Sequence, residues 1–391
     1  MIDYSKVLNK TVTDIKSSGI RKFFDIASTM EGVISLGVGE PDFQTPWQIR
    51  KAGINSLQRG KTKYTSNTGL KELLCEISTY MKRKFSVSYC PENEILVTVG
   101  GSEAIDACIR AVVNAGDEVI IPQPSYVCYE PMTRLAGGVP VIIDTKAEND
   151  FKVTPQELKN AITEKTKLLI LPYPCNPTGA IMEYEDIKAL YEVLKDTDII
   201  VLSDEIYAEL TFSGKPHASP AAVEGMWERT VTVNGFSKAF SMTGWRLGFA
   251  CGPKEIMEQI LKIHQYAIMC APTTSQYAAT EALKNCDEDV AHMLREYNMR
   301  RRMMVSGFNK IGLTCREPKG AFYAFPSIKS TGMTSEEFCE KLLISKKVAV
   351  VPGTAFGDSG EGFIRASYCY SVEHINEALE RIKEFLSEIN G

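Results

Sequence analysis

Long apolar runs are missing from this 391-residue sequence. None approaches the roughly 18 residues that a membrane-spanning helix needs. The opening Met1-Ile-Asp-Tyr-Ser-Lys6 lacks the hydrophobic core of a signal peptide. No membrane partner is expected, and a cytoplasmic location is. Histidine is scarce: His217, His264, His292 and His374 lie far apart, and no spacing resembles a zinc site. No metal is expected. Eleven cysteines are present, but none forms a Cys-x-x-Cys pair and the number is odd. A chain this long does not need disulfide staples, so they read as reduced, mostly buried thiols. Like-charge blocks are missing too. The 44 basic and 49 acidic residues leave a net charge of −5, spread along the chain, which disfavours nucleic acid or an anionic surface as partner. The one dense basic run, Arg300-Arg301-Arg302, falls in a helical stretch and reads as a solvated face. No repeat, low-complexity linker or Gly-x-Gly-x-x-Gly after an early strand occurs. The last absence removes support for a dinucleotide-dependent dehydrogenase.

The apolar share of 44% and charged share of 24% are those of an ordinary globular protein. At roughly 150 residues per domain the length suggests two to three units. From about residue 90, short β-rich runs alternate with amphipathic helical stretches. Ile95–Val99, Glu118–Ile121, Val139–Asp144, Lys167–Leu171, Ile199–Ser203 and Thr230–Val233 read as strands. They are apolar on both faces, which suits strands covered on both sides. The fold class is therefore α/β, with a mostly parallel sheet flanked by helices. From about residue 287 the pattern changes to a long polar helix (287–310), short strands near 322–325 and 348–351, and a closing amphipathic helix (372–389). The expected division is a large domain at 46–290 and a small α+β domain from 1–45 and 291–391.

Four motifs stand out in order. Asn176-Pro-Thr-Gly179 follows an apolar run and by itself reads as a turn. Ser203-Asp204-Glu205-Ile206-Tyr207 ends a strand, and ligands of parallel sheets collect at strand carboxyl ends, where Asp204 falls. Lys238 lies in the Gly/Ser-rich stretch Gly235-Phe-Ser-Lys-Ala-Phe-Ser-Met-Thr-Gly-Trp-Arg246-Leu-Gly248, directly after a buried strand. Arg365 sits in the short apolar run Phe363-Ile-Arg-Ala-Ser367, and burying a guanidinium is costly unless an anion meets it.

With these motifs the chain resembles the class I aminotransferases, the fold-type I enzymes dependent on pyridoxal 5′-phosphate, in particular the aspartate and aromatic aminotransferases. The resemblance runs from Gly37-Val-Gly-Glu-Pro-Asp-Phe43 to Arg365 and includes the lysine signature with Arg246 eight residues on. It implies an amino group moved between an L-amino acid, aspartate or an aromatic one, and a 2-oxo acid such as 2-oxoglutarate. Lys238 would hold the cofactor as an imine and carry the proton from the substrate Cα. Asp204 would pair with the ring nitrogen and keep it cationic. Asn176 and Tyr207 would bond the ring's phenolate oxygen, and Tyr126 would stack on the ring. Gly100, Gly101 and Ser102, between a strand and a helix, would cradle the phosphate with Arg246, joined by Tyr64 of the neighbouring subunit in a homodimer. Arg365 would clamp the substrate carboxylate, helped by Asn176 and the backbone near Gly39.

Two positions depart from the family pattern. Gly235 stands where many relatives have a phosphate-binding serine, so Ser237 is the candidate substitute. Ser102 stands where some aspartate-specific relatives have a lysine, so aspartate specificity is not carried over. No residue that reads the substrate side chain stands out. Arg21, near an entrance-lining segment, is a candidate set against an ordinary solvated arginine. Two alternatives remain at this point. One is a C–S β-lyase using the same residues. The other is a non-catalytic cofactor-binding regulatory module, for which the stretch before the domain is too short to hold a helix-turn-helix.

Overall fold

The computed structural model describes residues 2–16 and 30–390; Gly19, Ile20 and Arg21 lie outside the described residues. In chain order the strands are β1 (Ile34–Ser35), β2 (Ile95–Thr98), β3 (Glu118–Gln123), β4 (Val139–Asp144), β5 (Thr166–Leu171), β6 (Ile200–Asp204), β7 (Thr230–Gly235), β8 (Gly248–Cys251), β9 (Tyr323–Ala324), β10 (Val348–Ala349), β11 (Val351–Pro352) and β12 (Ile364–Ser367). Seven of them form one sheet in the order β2-β8-β7-β6-β5-β3-β4. All its pairings are parallel except those of β8, which runs antiparallel to both β2 and β7. β8 was not foreseen, because Gly-Phe-Ala-Cys is short, opens on glycine and follows a signature read for its chemistry.

Side chains alternate along a strand, and that alternation builds the layers. In β5, Leu168 and Ile170 join one cluster with Ala104, Cys108, Met257 and Ile260 from the Gly101–Val112 and Lys254–Ala267 helices. Leu169 and Leu171 join another, with Leu158, Ile187 and Leu190 on the opposite face. The sheet is thus covered on both sides, as its apolar runs require. β4 is the exception. It forms the sheet edge, and Val139 and Ile142 are exposed.

The two ends of the chain meet. β1 pairs in parallel with β10, and Ser367 N–H donates to Leu36 C=O at 2.7 Å. β9, β12 and β11 form a second, antiparallel sheet. The Asp287–Lys310 helix packs on the Val372–Asn390 helix so closely that a Cβ on Gly307 would stand 2.4 Å from Leu379 Cδ1. The reading of Arg300-Arg301-Arg302 as a solvated face is corrected here. Arg300 is 8% exposed and Arg301 4%; only Arg302 faces water. Arg301 donates to Pro318 C=O at 2.9 Å and pairs with Glu317, while Arg300 pairs with Asp42 at 2.7 Å. Polar composition hid the burial because each guanidinium carries its partner with it.

Candidate active site

Five of the sequence features converge because each lies at or just after the carboxyl end of a strand of the large sheet, while Arg365 comes from within β12 of the second sheet. Gly100 to Ser102 follow β2, Tyr126 follows β3, Asn176 follows β5, Asp204 closes β6, and Lys238 follows β7. Alternation along the chain divides the acidic pair. Asp204 is buried on the site side and accepts from Tyr129 Oη at 2.7 Å and from Ile206 N–H at 3.2 Å. Glu205 turns the other way, into a buried set with His217 (3.0 Å) and Ser219 (2.8 Å). Burial dominates the Asp204 carboxyl and pushes it up to about 6, against the lowering effect of the Tyr129 hydrogen bond.

Lys238 Nζ donates to Gly39 C=O at 2.7 Å and lies 5.6 Å from the Phe322 ring centre. Burial lowers its ammonium to about 8, with Arg365 and Arg246 acting in the same direction. Arg365 is buried with its guanidinium 4.4 Å above the Tyr323 ring and 4.8 Å from that of Phe356. It donates to Asn176 Oδ1 at 2.9 Å and to Gly37 C=O, and its Nε has no partner. Burial lowers its pKa as well. A buried guanidinium with an open donor is costly unless an anion arrives.

At the start of the Gly101–Val112 helix, Gly100 takes φ +77°, which a side chain resists. A Cβ there would lie 2.8 Å from Arg246 Nη2, so the guanidinium rests against the turn. Arg246 Nη1 is held by Thr243 C=O at 3.0 Å. Helix N–H groups, helix dipole and guanidinium thus converge on one anion-sized spot. Burial raises the Tyr126 hydroxyl, and a hydrogen bond with Ser102 opposes that rise.

Most of the residues singled out in the sequence are therefore neighbours, but not all. Tyr64 is 80% exposed and hydrogen-bonds none of the others among the described residues. Ser237 is buried beside Lys238, and its hydroxyl has no partner among the described residues. Tyr207 Oη bonds Tyr323 Oη at 2.8 Å. At Gly235, an added Cβ would meet Gly248 Cα and Ile206 Cδ1 at 3.0 Å, so the close β7–β8 approach suits glycine there. Sequence reasoning missed Tyr129, Tyr323 and the Gly37 carbonyl. Tyr129 opens the helix that follows Tyr126, and nothing in its local sequence marked it. Tyr323 stood in a run read only as a strand.

An amine of lowered basicity, a buried carboxyl waiting for a cation, an anion cradle at a helix start and a second guanidinium with an open donor fit pyridoxal phosphate together with an amino acid. Comparison with known proteins points the same way. Residues 31–382 match the family described as "Aminotransferase class I and II". The chain is 56% identical to the putative aminotransferase YugH of Bacillus subtilis (97% of this chain, 98% of that one) and 45% identical to an aspartate aminotransferase of Pyrococcus abyssi (96% and 97%). Its fold superposes on the crystal structure of an aromatic aminotransferase from Pyrococcus horikoshii with a TM-score of 0.90, at 43% identity over 94% of this chain and 99% of that one. The chain belongs to the class I and II aminotransferases and is a pyridoxal-phosphate-dependent enzyme of fold type I.

Proposed function

We propose that this aminotransferase takes its amino group from a dicarboxylic or aromatic L-amino acid and passes it to a 2-oxo acid such as 2-oxoglutarate, working as a cytoplasmic homodimer. The observation that carries the substrate side of this reading is Arg365. Its flat face is fixed by Tyr323 and one edge by Asn176 and Gly37, leaving a donor free for a carboxylate. Arg365 would hold the substrate α-carboxylate and so orient the Cα–H bond for proton transfer. Relatives named as an aspartate and an aromatic-amino-acid aminotransferase support the substrate class, and all the relatives cited are named aminotransferases, which gives the C–S lyase and regulatory alternatives nothing. The chain falls into a large unit at 46–290 and a small one from 1–45 and 291–391; the β1–β10 pairing supports joining the two ends.

Bound pyridoxal phosphate supplies an electron sink that makes the substrate Cα–H acidic. In the proposed roles Lys238 would tether the cofactor and carry the substrate Cα proton, Asp204 would pair with the ring nitrogen, Tyr207 and Asn176 would address the ring hydroxyl, and Tyr126 would cover the ring. Gly100, Gly101, Ser102, Ser237 and Arg246 hold the phosphate, and Gly39 and Arg365 the substrate end.

Arg365→Lys is expected to raise KM and lower kcat together, with kcat/KM down about 100-fold, because lysine keeps the charge and loses the planar fork. Steady-state kinetics with the preferred amino acid checks this, and an unchanged kcat/KM contradicts the clamp. The homodimer rests on Tyr64 and on an exposed apolar stripe (Trp47, Ile54, Leu57) along one face of the Trp47–Gln58 helix. Sedimentation is expected to show a dimer whose activity falls on dilution to monomer; a fully active monomer at nanomolar concentration contradicts it. The substrate class is tested by mixing the holoenzyme with each of the twenty amino acids and following the cofactor absorbance. Dicarboxylic and aromatic amino acids are expected to react fastest. Keto-acid-independent release of thiol and pyruvate from cystathionine overturns the transaminase reading.

A further inference from the structure

The two cations of the site share one support, the segment that carries Gly37 and Gly39. Residues 37–43 form a strap between β1 and the Trp47–Gln58 helix. Its Gly37 carbonyl accepts from Arg365, and its Gly39 carbonyl accepts from Lys238 at 2.7 Å. The strap has little slack at Gly39, where a Cβ would come to 2.3 Å from Tyr323 Oη. One end is held by Tyr370, whose hydroxyl accepts from Val38 N–H at 3.2 Å. The other is held through Thr45, which donates to Ser241 C=O at 2.5 Å.

Between those ends Glu40 accepts from Thr243, and Phe43 packs edge-on against Tyr297 and His292 of the Asp287–Lys310 helix; the polar link to that helix is Arg300. Arg300 Nη1 bonds Asp42 at 2.7 Å, and its guanidinium lies 5.3 Å from the Phe43 ring centre and 5.9 Å from that of Tyr297. Arg300 is nine-tenths buried and its Nε has no partner among the described residues, while Asp42 stays exposed. Such a pair contributes little stability for what it costs to bury. What it supplies is a fixed distance, three residues from the carbonyl that holds Lys238. We propose that Arg300 is a positioning residue: through Asp42 and Phe43 it fixes the 37–43 strap, and so places Lys238 and Arg365 together for the reaction. This rests on the roles proposed above for those two residues. A displacement of about 1 Å at reacting groups costs on the order of 100-fold in rate.

The test compares holoenzymes carrying Asp42→Asn and Arg300→Lys with wild type, using the amino acid that reacts fastest. Asp42→Asn keeps the side-chain shape and an acceptor for Arg300 while removing the charge that faces its guanidinium; it is the milder change and decides alone where Arg300→Lys does not fold. Expected for both are a lower kcat and a higher KM together, with kcat/KM down about 10- to 100-fold. Amide hydrogen exchange of residues 36–45 is expected to be at least about 10-fold faster, without change in the central sheet. Faster exchange with unchanged kcat and KM overturns the proposal, leaving a structural anchor only. So does a change confined to kcat or to KM, an effect of Arg300→Lys that Asp42→Asn does not share, or no effect at all. Lys238→Ala run alongside separates the two levels. If it is inactive while Asp42→Asn is normal, the strap role alone falls; if it retains turnover, the site assignment falls and takes the strap with it.

Discussion

Lys238→Ala is expected to leave a folded protein whose turnover is lower by about four orders of magnitude or more, the combined loss of a proton carrier and a covalent tether. The side chain owes its usefulness to its surroundings. An ordinary lysine has a pKa of 10.5; burial draws Lys238 to about 8. At pH 8 about half of the amine is then neutral and able to take a proton, against under about 1% in water. Its alkyl stem lies between Tyr207 and Phe322, 5.9 and 5.6 Å from their ring centres to Nζ, so truncation removes a charge the fold tolerates at a cost. Circular dichroism and thermal melting are expected to be close to wild type, with the cofactor's lysine-linked absorbance gone. Near-normal kcat would remove Lys238 from the mechanism.

Asp204→Asn is expected to separate stability from activity. The carboxyl has an ordinary value of 3.8 and is held at about 6 by burial in the folded chain. Between those values the cofactor-free folded chain binds more protons than the unfolded one. Its stability therefore falls as pH rises from about 4 to 6, by about 3 kcal/mol from this group. Asparagine carries no charge to desolvate, and its Oδ1 still accepts from Tyr129. Cofactor-free Asp204→Asn should thus match wild type near pH 4 and be more stable above pH 6. In the holoenzyme the same change removes the anion expected beneath the ring nitrogen, and kcat is expected to drop by about 100- to 1,000-fold. Urea titrations of the cofactor-free proteins at pH 4 and 7, with kcat of the loaded ones, check both halves. A variant less stable than wild type at pH 7, or one that keeps its kcat, contradicts the assignment.

The parts of the fold that were legible were those with local signals. β3 to β7 and the 287–310 and 372–390 helices followed from apolar runs and periodicity. So did the site residues at strand ends, since chain direction in a parallel sheet brings those ends together. Long-range relations were not legible. β8 enters the sheet antiparallel between β2 and β7, a placement set by pairing rather than by its four residues. Asp204 gave no sign of Tyr129, 75 positions away, nor Arg365 of the Gly37 carbonyl, 328 away. Arg300 and Arg301 looked solvated because their partners, Asp42 and Glu317, come from other parts of the chain. Arg21, offered as a reader of the substrate side chain, lies outside the described residues.

The central claim is that one amine, on Lys238, carries the cofactor. Borohydride reduction of the loaded enzyme followed by peptide mass mapping tests it directly. The expected result is a pyridoxyl adduct on the peptide containing Lys238 and on no other. An adduct on a different lysine, or none in cofactor-saturated protein, would contradict it.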